Sequence, residues 1–384
     1  MKGYLRKRGR VWYTTVDLSQ RLGQPRKQKC IRIGEMSKAE AQEREREILR
    51  KVDDRNWTED RAFTVADLLM TWLQDNEHRI AAKTWESYDS KVRLHIIPVL
   101  GEIPLAKLRP KHIVDAYAAI RAKGLSAQTS VHLHRILHTA MNYGKKTLRI
   151  VKENVFADVP SPAAERRDMA SLSEKQVRLV LEAAKETRLE IPVVVAALTG
   201  LRRSELLALR WGTSLDFERG LLSVNETLEQ SRRYGLRFKR KMKTKSSRRV
   251  IPLAADLVEM LKAHKDKQDD RRRRLGLAWT ANDLVFCNED GSPWPPDTFS
   301  KQFAGIMRLV GLEGVFRFHD SRHAFASIAL KNGASVKEVS TLLGHSSPTL
   351  TLSTYAHVME GMGREAVNGL ARSLLVPRQG EKSS

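Results

Sequence analysis

Two cysteines in 384 residues, Cys30 and Cys287, cannot build a disulfide framework, and neither has a partner Cys or His at metal-ligand spacing. That usage points to a reduced, cytoplasmic setting. Long apolar runs are missing too: no stretch approaches the roughly 20 residues that span a bilayer. The basic start, MKGYLRKRGRVWY, leads into no apolar segment of the secretory kind, so a soluble, unprocessed chain is expected. Acids are the scarce charge, with 45 Asp+Glu against 68 Lys+Arg and a net charge of +23. Such an excess goes beyond what solubility requires and suits a polyanion. Each phosphate neutralised releases counterions, so binding to nucleic acid should weaken steeply with salt. Charge alone leaves open a DNA-acting protein, a non-specific nucleic-acid binder and a merely cationic surface. The length exceeds what one core usually organises, which predicts two or three domains.

Residues 1–60 form the first expected unit. Its opening stretch, Met1 to Arg32, carries ten Lys and Arg against the single acid Asp17. Val11 to Val16 and Lys29 to Ile33 read as short strands around the turn Leu22-Gly23-Gln24-Pro25. A helix follows, with Ser37 as N-cap and Glu40 as its capping-box partner. The second unit, 61–158, opens at Thr64, whose hydroxyl caps a helix with Asp67 reaching back. Helical patterns continue over Thr84 to Ile97, Pro110 to Lys123, Ser126 to Lys145 and a short stretch around Asn154. His132, His134 and His138 have no Cys, Asp or Glu ligand nearby, so solvated or DNA-facing histidines are expected rather than a metal site. Residues 159–172, with VPSPAAERRDMAS from Val159 to Ser171, read as a linker that lets two halves close around a duplex. The last unit, 173–384, begins with Ser173 as N-cap and Glu174 in the first turn.

This last unit concentrates the chemistry. TGLRRSELLALRW places an arginine, Arg202 or on spacing alone its neighbour Arg203, at a turn leading into a helix, where free N–H groups favour an anion and a guanidinium grips two phosphate oxygens. Gln230 to Arg249 holds ten Lys and Arg and no acid. With strand-like Leu221 to Leu228 before it and Val250 to Leu253 after it, the run is expected to form the middle of a three-stranded sheet with a basic hairpin. A lysine at its tip can protonate a leaving oxygen. HDSRHAFAS puts His319 and Arg322 one helical turn apart. LLGHSSPTLTLSTYAH ends a helix at Gly344 and supplies His345, then Tyr355. Two guanidiniums, an ammonium and two imidazoles suit a pentavalent phosphate, with a tyrosine as nucleophile. A phenol of pKa about 10 needs cations and a base to react at neutral pH. Tyr4, Tyr13, Tyr88, Tyr117 and Tyr143 lack that setting. No metal or other cofactor is expected, because arginines take over neutralisation of the transition state.

Taken together and in this order, these segments resemble the tyrosine recombinase family, the phage-type integrases, over roughly the whole chain. The resemblance implies a multidomain fold: a small β-sheet-plus-helix arm-type DNA-binding domain, an all-α SAM-like core-binding domain, and a mainly α catalytic domain with a small antiparallel sheet, the DNA breaking-rejoining enzyme fold. It selects Arg202, with Glu205 as its buttress, and Lys243 among Lys241, Lys243 and Lys245. His319, Arg322 and His345 complete the phosphate site, His319 bonding the phosphate or accepting the nucleophile's proton. Tyr355 then forms a 3′-phosphotyrosyl link and releases a 5′-hydroxyl. Implied partners are double-stranded DNA attachment sites and a homotetramer working through a Holliday junction, with an accessory DNA-bending or excision factor left open. A C-terminal segment, here the amphipathic stretch Val358 to Leu375, packs on a neighbouring protomer in this family or folds back on its own domain. The competing readings are a type IB topoisomerase-like nicking and rejoining enzyme and a non-catalytic DNA-binding regulator.

Overall fold

A computed structural model describes residues 4–17, 28–53, 63–163, 172–240, 248–345 and 347–359. The chain divides into two compact units, Met1–Glu165 and Arg166–Ser384. Lys241, Lys243 and Lys245, the turn at 22–25, most of the linker and the chain from 360 onward lie outside the described residues.

In the first unit, β1 (Tyr4–Arg8), β2 (Val11–Asp17) and β3 (Gln28–Gly34) form an antiparallel sheet in that order. The basic opening segment is thus itself a strand, in addition to the two expected. Helix α1 (Lys38–Asp53) follows with the expected box: the Ser37 amide donates to Glu40 at 2.9 Å and the Glu40 amide to Ser37 Oγ at 3.4 Å. Thr14 donates to Glu45 across the sheet–helix contact at 2.9 Å.

The unit continues with α2 (Val65–Asn76), α3 (Ala82–Lys91), a π-turn at Val92–Ile96, α4 (Ile97–Leu100), a 3-10 turn at Leu105–Lys107, α5 (Pro110–Ala122), α6 (Ala127–Tyr143) and a π-turn at Gly144–Leu148. Thr64 and Asp67 cap α2 reciprocally, at 3.2 and 3.0 Å. Apolar residues at helical spacing make the core: Leu68, Leu69, Trp72 and Leu73 of α2 meet Ile113, Ala116 and Ile120 of α5 and Leu133, Leu137 and Ala140 of α6. Each fully buried leucine there contributes about 1.5–3 kcal/mol.

Two expectations fail in this unit. No helix forms around Asn154, because its side chain binds the Phe156 amide, the His138 carbonyl and the Asn142 side chain, satisfying groups in a turn geometry that a helix would forgo. His134 is buried rather than solvated, its Nδ1 bonded to the Tyr117 hydroxyl at 2.6 Å and its ring stacked on His138. The ring fills core space between α5 and α6, and burial lowers its pKa, with His138 adding to the effect.

The second unit starts with α7 (Glu174–Ala184), capped by Ser173 with Gln176, and α8 (Glu190–Thr199). Gly200, at φ 61°, stops α8. A Cβ there would lie 2.7 Å from both Leu343 and Phe325, so the turn needs glycine for its backbone and for its space. Single turns α9 (Arg203–Leu206) and α10 (Trp211–Ser214) lead into β4 (Leu215–Asp216), β5 (Leu221–Val224), β6 (Thr227–Ser231), β7 (Gly235–Lys239) and β8 (Arg249–Pro252). The sheet differs from the expectation. β4, β5 and β8 make one three-stranded sheet, while β6 and β7 pair as a separate hairpin. The apolar run Leu221 to Leu228 is two strands, and the basic run supplies β7 rather than a central strand. Helices α11 (Ala255–Leu275), α12 (Pro296–Leu309), α13 (Ser321–Lys331), α14 (Val336–Leu343) and α15 (Pro348–Met359) complete the unit. α13 is central, packing on α7, α8, α14 and α15. Among the described residues, no helix is long and apolar enough to cross a membrane.

Candidate active site

Glu205 is the anchor of the cluster, 2% exposed. Its carboxylate accepts from the Arg202 amide at 2.8 Å and from the Arg202 guanidinium at 2.8 Å, which makes the cap of α9. The anion at this helix end is therefore the chain's own carboxylate. Arg249 grips the same carboxylate with both terminal nitrogens, at 3.2 and 2.9 Å. Strand alternation explains why: Arg249 and Ile251 point inward on β8 while Val250 and Pro252 point out. Burial raises the Glu205 pKa, but the bonds and charge of Arg249 and the charge of Arg202 outweigh it and hold the carboxyl below its ordinary value.

Arg322, on the first turn of α13, is 4% exposed. It donates to the Gly200 carbonyl at 2.9 Å and to the Leu343 carbonyl. Arg249 donates to the adjacent Leu342 carbonyl. The C-terminal end of α14, the negative end of its dipole, thus holds two guanidiniums in place. Burial lowers the Arg322 pKa to about 9, with the charges of Arg202 and Arg249 adding to the effect. Among the described residues, one buried carboxylate stands among three guanidiniums, an excess of positive charge that suits a further anion. Arg202 keeps 35% of its side chain open, the most accessible of the three. Its rival on spacing, Arg203, turns away, donating to the Pro296 carbonyl at 2.9 Å and to Ser300.

His319 lies in a short 3-10 turn, Phe318–Asp320, immediately before α13 rather than within it. Its ring is exposed, yet partial burial first and then the positive charges of Arg322 and Arg202 lower its pKa. Past Gly344, which closes α14 at φ 63°, His345 bonds Thr351 through Nδ1 at 2.7 Å. With the buried Thr351 hydroxyl as donor, Nε2 carries the ring hydrogen and becomes a donor for an oxyanion. Burial, then Arg322 and Arg202, push the His345 pKa down to about 4.

Tyr355 is 2% exposed, among Ala326, Leu330, Val339 and Leu343. α15 kinks at this residue, whose φ of −117° and ψ of 17° leave the helical region. The hydroxyl is hydrogen-bonded to His323 Nδ1 at 2.7 Å. Burial raises the phenol pKa to about 12, against the charge of Arg322. Among the described residues, Arg202, Glu205, Arg322, His345 and Tyr355 are linked through these bonds and charges, with His319 at their edge. Lys243 is outside them.

Three members of the cluster went unread in the sequence. Arg249 closes the basic run from Gln230, and only period-2 alternation from Ile251 marks it as inward. His323 is the residue after Arg322 and one turn beyond His319, a spacing that pointed to it. Thr351 carried no signal.

The phage integrase family model matches residues 170–361, half of the chain. The model for the N-terminal SAM-like domain of phage integrases matches residues 64–119. A tyrosine recombinase XerC-like protein of Caldanaerobacter subterraneus subsp. tengcongensis is 28% identical over 354 residues, covering 87% of this chain and 89% of that protein. An integrase of Streptomyces ambofaciens is 29% identical, covering 83% and 82%. Two solved structures share the fold. The Tn1549 transposon integrase with a circular intermediate DNA has a TM-score of 0.69 at 20% identity, covering 80% of this chain and all of that one. A lambda integrase tetramer on a Holliday junction has 0.57 at 20%, covering 89% and 92%. The chain belongs to the phage integrase family and is a tyrosine-type site-specific DNA recombinase.

Proposed function

We propose that this recombinase integrates or excises a mobile element by cleaving DNA with Tyr355 inside the cluster built on Glu205. The observation that carries the reading is a buried carboxylate bonded to two guanidiniums, with a third close enough to feel its charge, beside a phenol bonded to an imidazole. Such a site attracts one more anion, and a phosphodiester supplies it. Arg202 and Arg322 hold the non-bridging oxygens, with Glu205 and Arg249 fixing Arg202 from behind. His345 donates from Nε2 to the charge that develops, and His319 borders the phosphate. Tyr355 Oη attacks phosphorus, the bond to the 5′ oxygen breaks, and Lys243, on the segment before β8, gives that oxygen a proton. The 3′-phosphotyrosyl ester conserves the phosphodiester bond, so a 5′-hydroxyl from another duplex rejoins the strand without ATP.

Residues 1–60 serve as the arm-type DNA-binding domain, 61–158 as the core-binding domain, 159–172 as the linker and 173–384 as the catalytic domain. The Tn1549 and lambda integrases are described bound to DNA, the latter also as a tetramer on a Holliday junction. We carry the same assembly to this chain, acting on double-stranded attachment sites.

The test is strand exchange between two duplexes bearing the attachment site, without nucleotide, set beside relaxation of a supercoiled plasmid that lacks it. Recombinant products dependent on the site are expected. Relaxation of any plasmid with no exchange would contradict the reading in favour of a topoisomerase-like enzyme.

A further inference from the structure

Among the described residues, the Tyr355 hydroxyl has one hydrogen-bond partner, and it is His323 at 2.7 Å. The other two histidines of the site are placed for different work. His345 uses its Nδ1 on Thr351. His319 lies exposed in the turn before α13, its ring 6.2 Å from the His323 ring and edge-on to it. His323 stands between His319 and the nucleophile, its ring 5.8 Å from the Tyr355 ring.

We propose that His323, rather than His319, accepts the proton of Tyr355 during cleavage and returns it during rejoining. The proposal rests on Tyr355 being the nucleophile. As the Oη–P bond forms and the P–O5′ bond breaks, the phenolic proton moves to Nδ1, making an imidazolium. The leaving 5′ oxygen takes its proton from the general acid. In rejoining, the 5′-hydroxyl returns that proton to the general acid and attacks phosphorus, and the imidazolium protonates Oη as the phosphotyrosyl bond breaks. Nothing is consumed over the cycle.

The surroundings suit an acceptor. An Nδ1 that accepts from the phenol requires the neutral ring with its hydrogen on Nε2. Burial first, then the charges of His319, Arg322 and Arg317 against Asp320, lower the His323 pKa and keep the ring neutral at pH 7. His345 faces it from the end of α14 and Tyr355 from α15. Helices α7 and α8 meet α13 through apolar residues, Val180, Ala196 and Ala197 lining one cavity with Ala324, Phe325 and Ile328. Tyr355 is 2% exposed, so bulk water is a poor competitor for its proton. The imidazolium formed in the transition state sits next to the new phosphotyrosyl oxygen and the phosphate, whose negative charge stabilises it.

The experiment is single-turnover cleavage of a nicked suicide substrate over roughly pH 5 to 8, across the range in which imidazoles titrate. In the unmodified protein the rate falls as pH drops through the lowered His323 pKa, which lies below the ordinary 6.5. His323→Asn keeps an oxygen acceptor near the Nδ1 position but cannot take the proton. It is expected to bind DNA normally, cleave about 100-fold or more slowly, and lose the acid-side fall. His323→Ala should be slow and recover with added imidazole in proportion to its neutral form. His319→Asn should keep the acid-side fall. Cleavage by His323→Asn within about threefold of the unmodified rate, well short of the effect of losing a general base, would overturn the proposal. So would persistence of the acid-side fall in that variant, or no imidazole rescue of His323→Ala, either of which makes the residue structural. Tyr355→Phe keeps the two readings apart: if it still forms an adduct, the nucleophile is misassigned, and if it does not while His323→Asn cleaves normally, only the proton acceptor is.

Discussion

Glu205→Ala should be the most damaging single change to the stability of the second unit. The substitution leaves Arg249, whose side chain is 3% exposed, without the carboxylate that meets two of its nitrogens. Breaking a buried ion pair from one side costs about 3–5 kcal/mol, because a buried charge loses its counter-charge. Loss of the α9 cap adds about 1 kcal/mol. At about 2–4 °C per kcal/mol for a unit of this size, the melting transition should fall by roughly 10 °C or more. Urea unfolding of the full chain, read on the transition of the second unit, measures it. Adding Arg249→Ala removes the other member of the pair, so the double variant should be less destabilised than the sum of the singles, by up to about 3 kcal/mol. The pH dependence has a definite sign. The Glu205 pKa is held below its ordinary 4.5, so its contribution is complete above that pH and fades as pH falls through the folded-state value. The gap between Glu205→Ala and the unmodified protein should narrow below pH 4.5. A loss under about 1 kcal/mol at pH 7, within the reach of an ordinary surface change, would refute the reasoning.

Three further outcomes follow from particular contacts. Thr351→Val removes the hydroxyl that fixes His345 and should slow cleavage about five- to tenfold, roughly 1 kcal/mol, with DNA binding unchanged; an unaltered rate would show that His345 needs no such partner. Gly200→Ala meets Leu343 and Phe325 at 2.7 Å on a backbone with φ 61°, and should cost about 2–4 kcal/mol in urea unfolding. Deleting residues 1–60 should leave cleavage of a core-site substrate largely intact while removing a separate footprint at distant arm-type sequences, and a retained arm footprint would assign that role elsewhere.

Local chemistry was legible in the sequence. Ser37 with Glu40, Thr64 with Asp67, and Gly344 after Leu343 each act within a few residues, so spacing alone announces them. The Arg202 and Glu205 pair also lies three residues apart, but spacing left Arg203 as a rival, and the family resemblance chose between them. Arg249 and Glu205 are 44 positions apart in the chain, and His323 and Tyr355 are 32, distances over which only the packing of α13, α15 and β8 decides. The strand grouping failed for a related reason. Apolar residues Leu221 to Leu228 suit one strand or two, and the choice depends on β8 pairing with β5 while β6 turns back on β7. His134 was misread because a histidine on a helix gives no sign of a tyrosine facing it from the next.

The most direct measurement is the covalent adduct itself. The protein is trapped on a suicide substrate labelled at the cleaved strand, run on a denaturing gel, and the DNA-linked peptide is sequenced. The account predicts an adduct on the 3′ end carried by the peptide containing Tyr355, absent in Tyr355→Phe although that variant still binds DNA. An undiminished adduct in Tyr355→Phe, or a link mapped to another tyrosine, would contradict it.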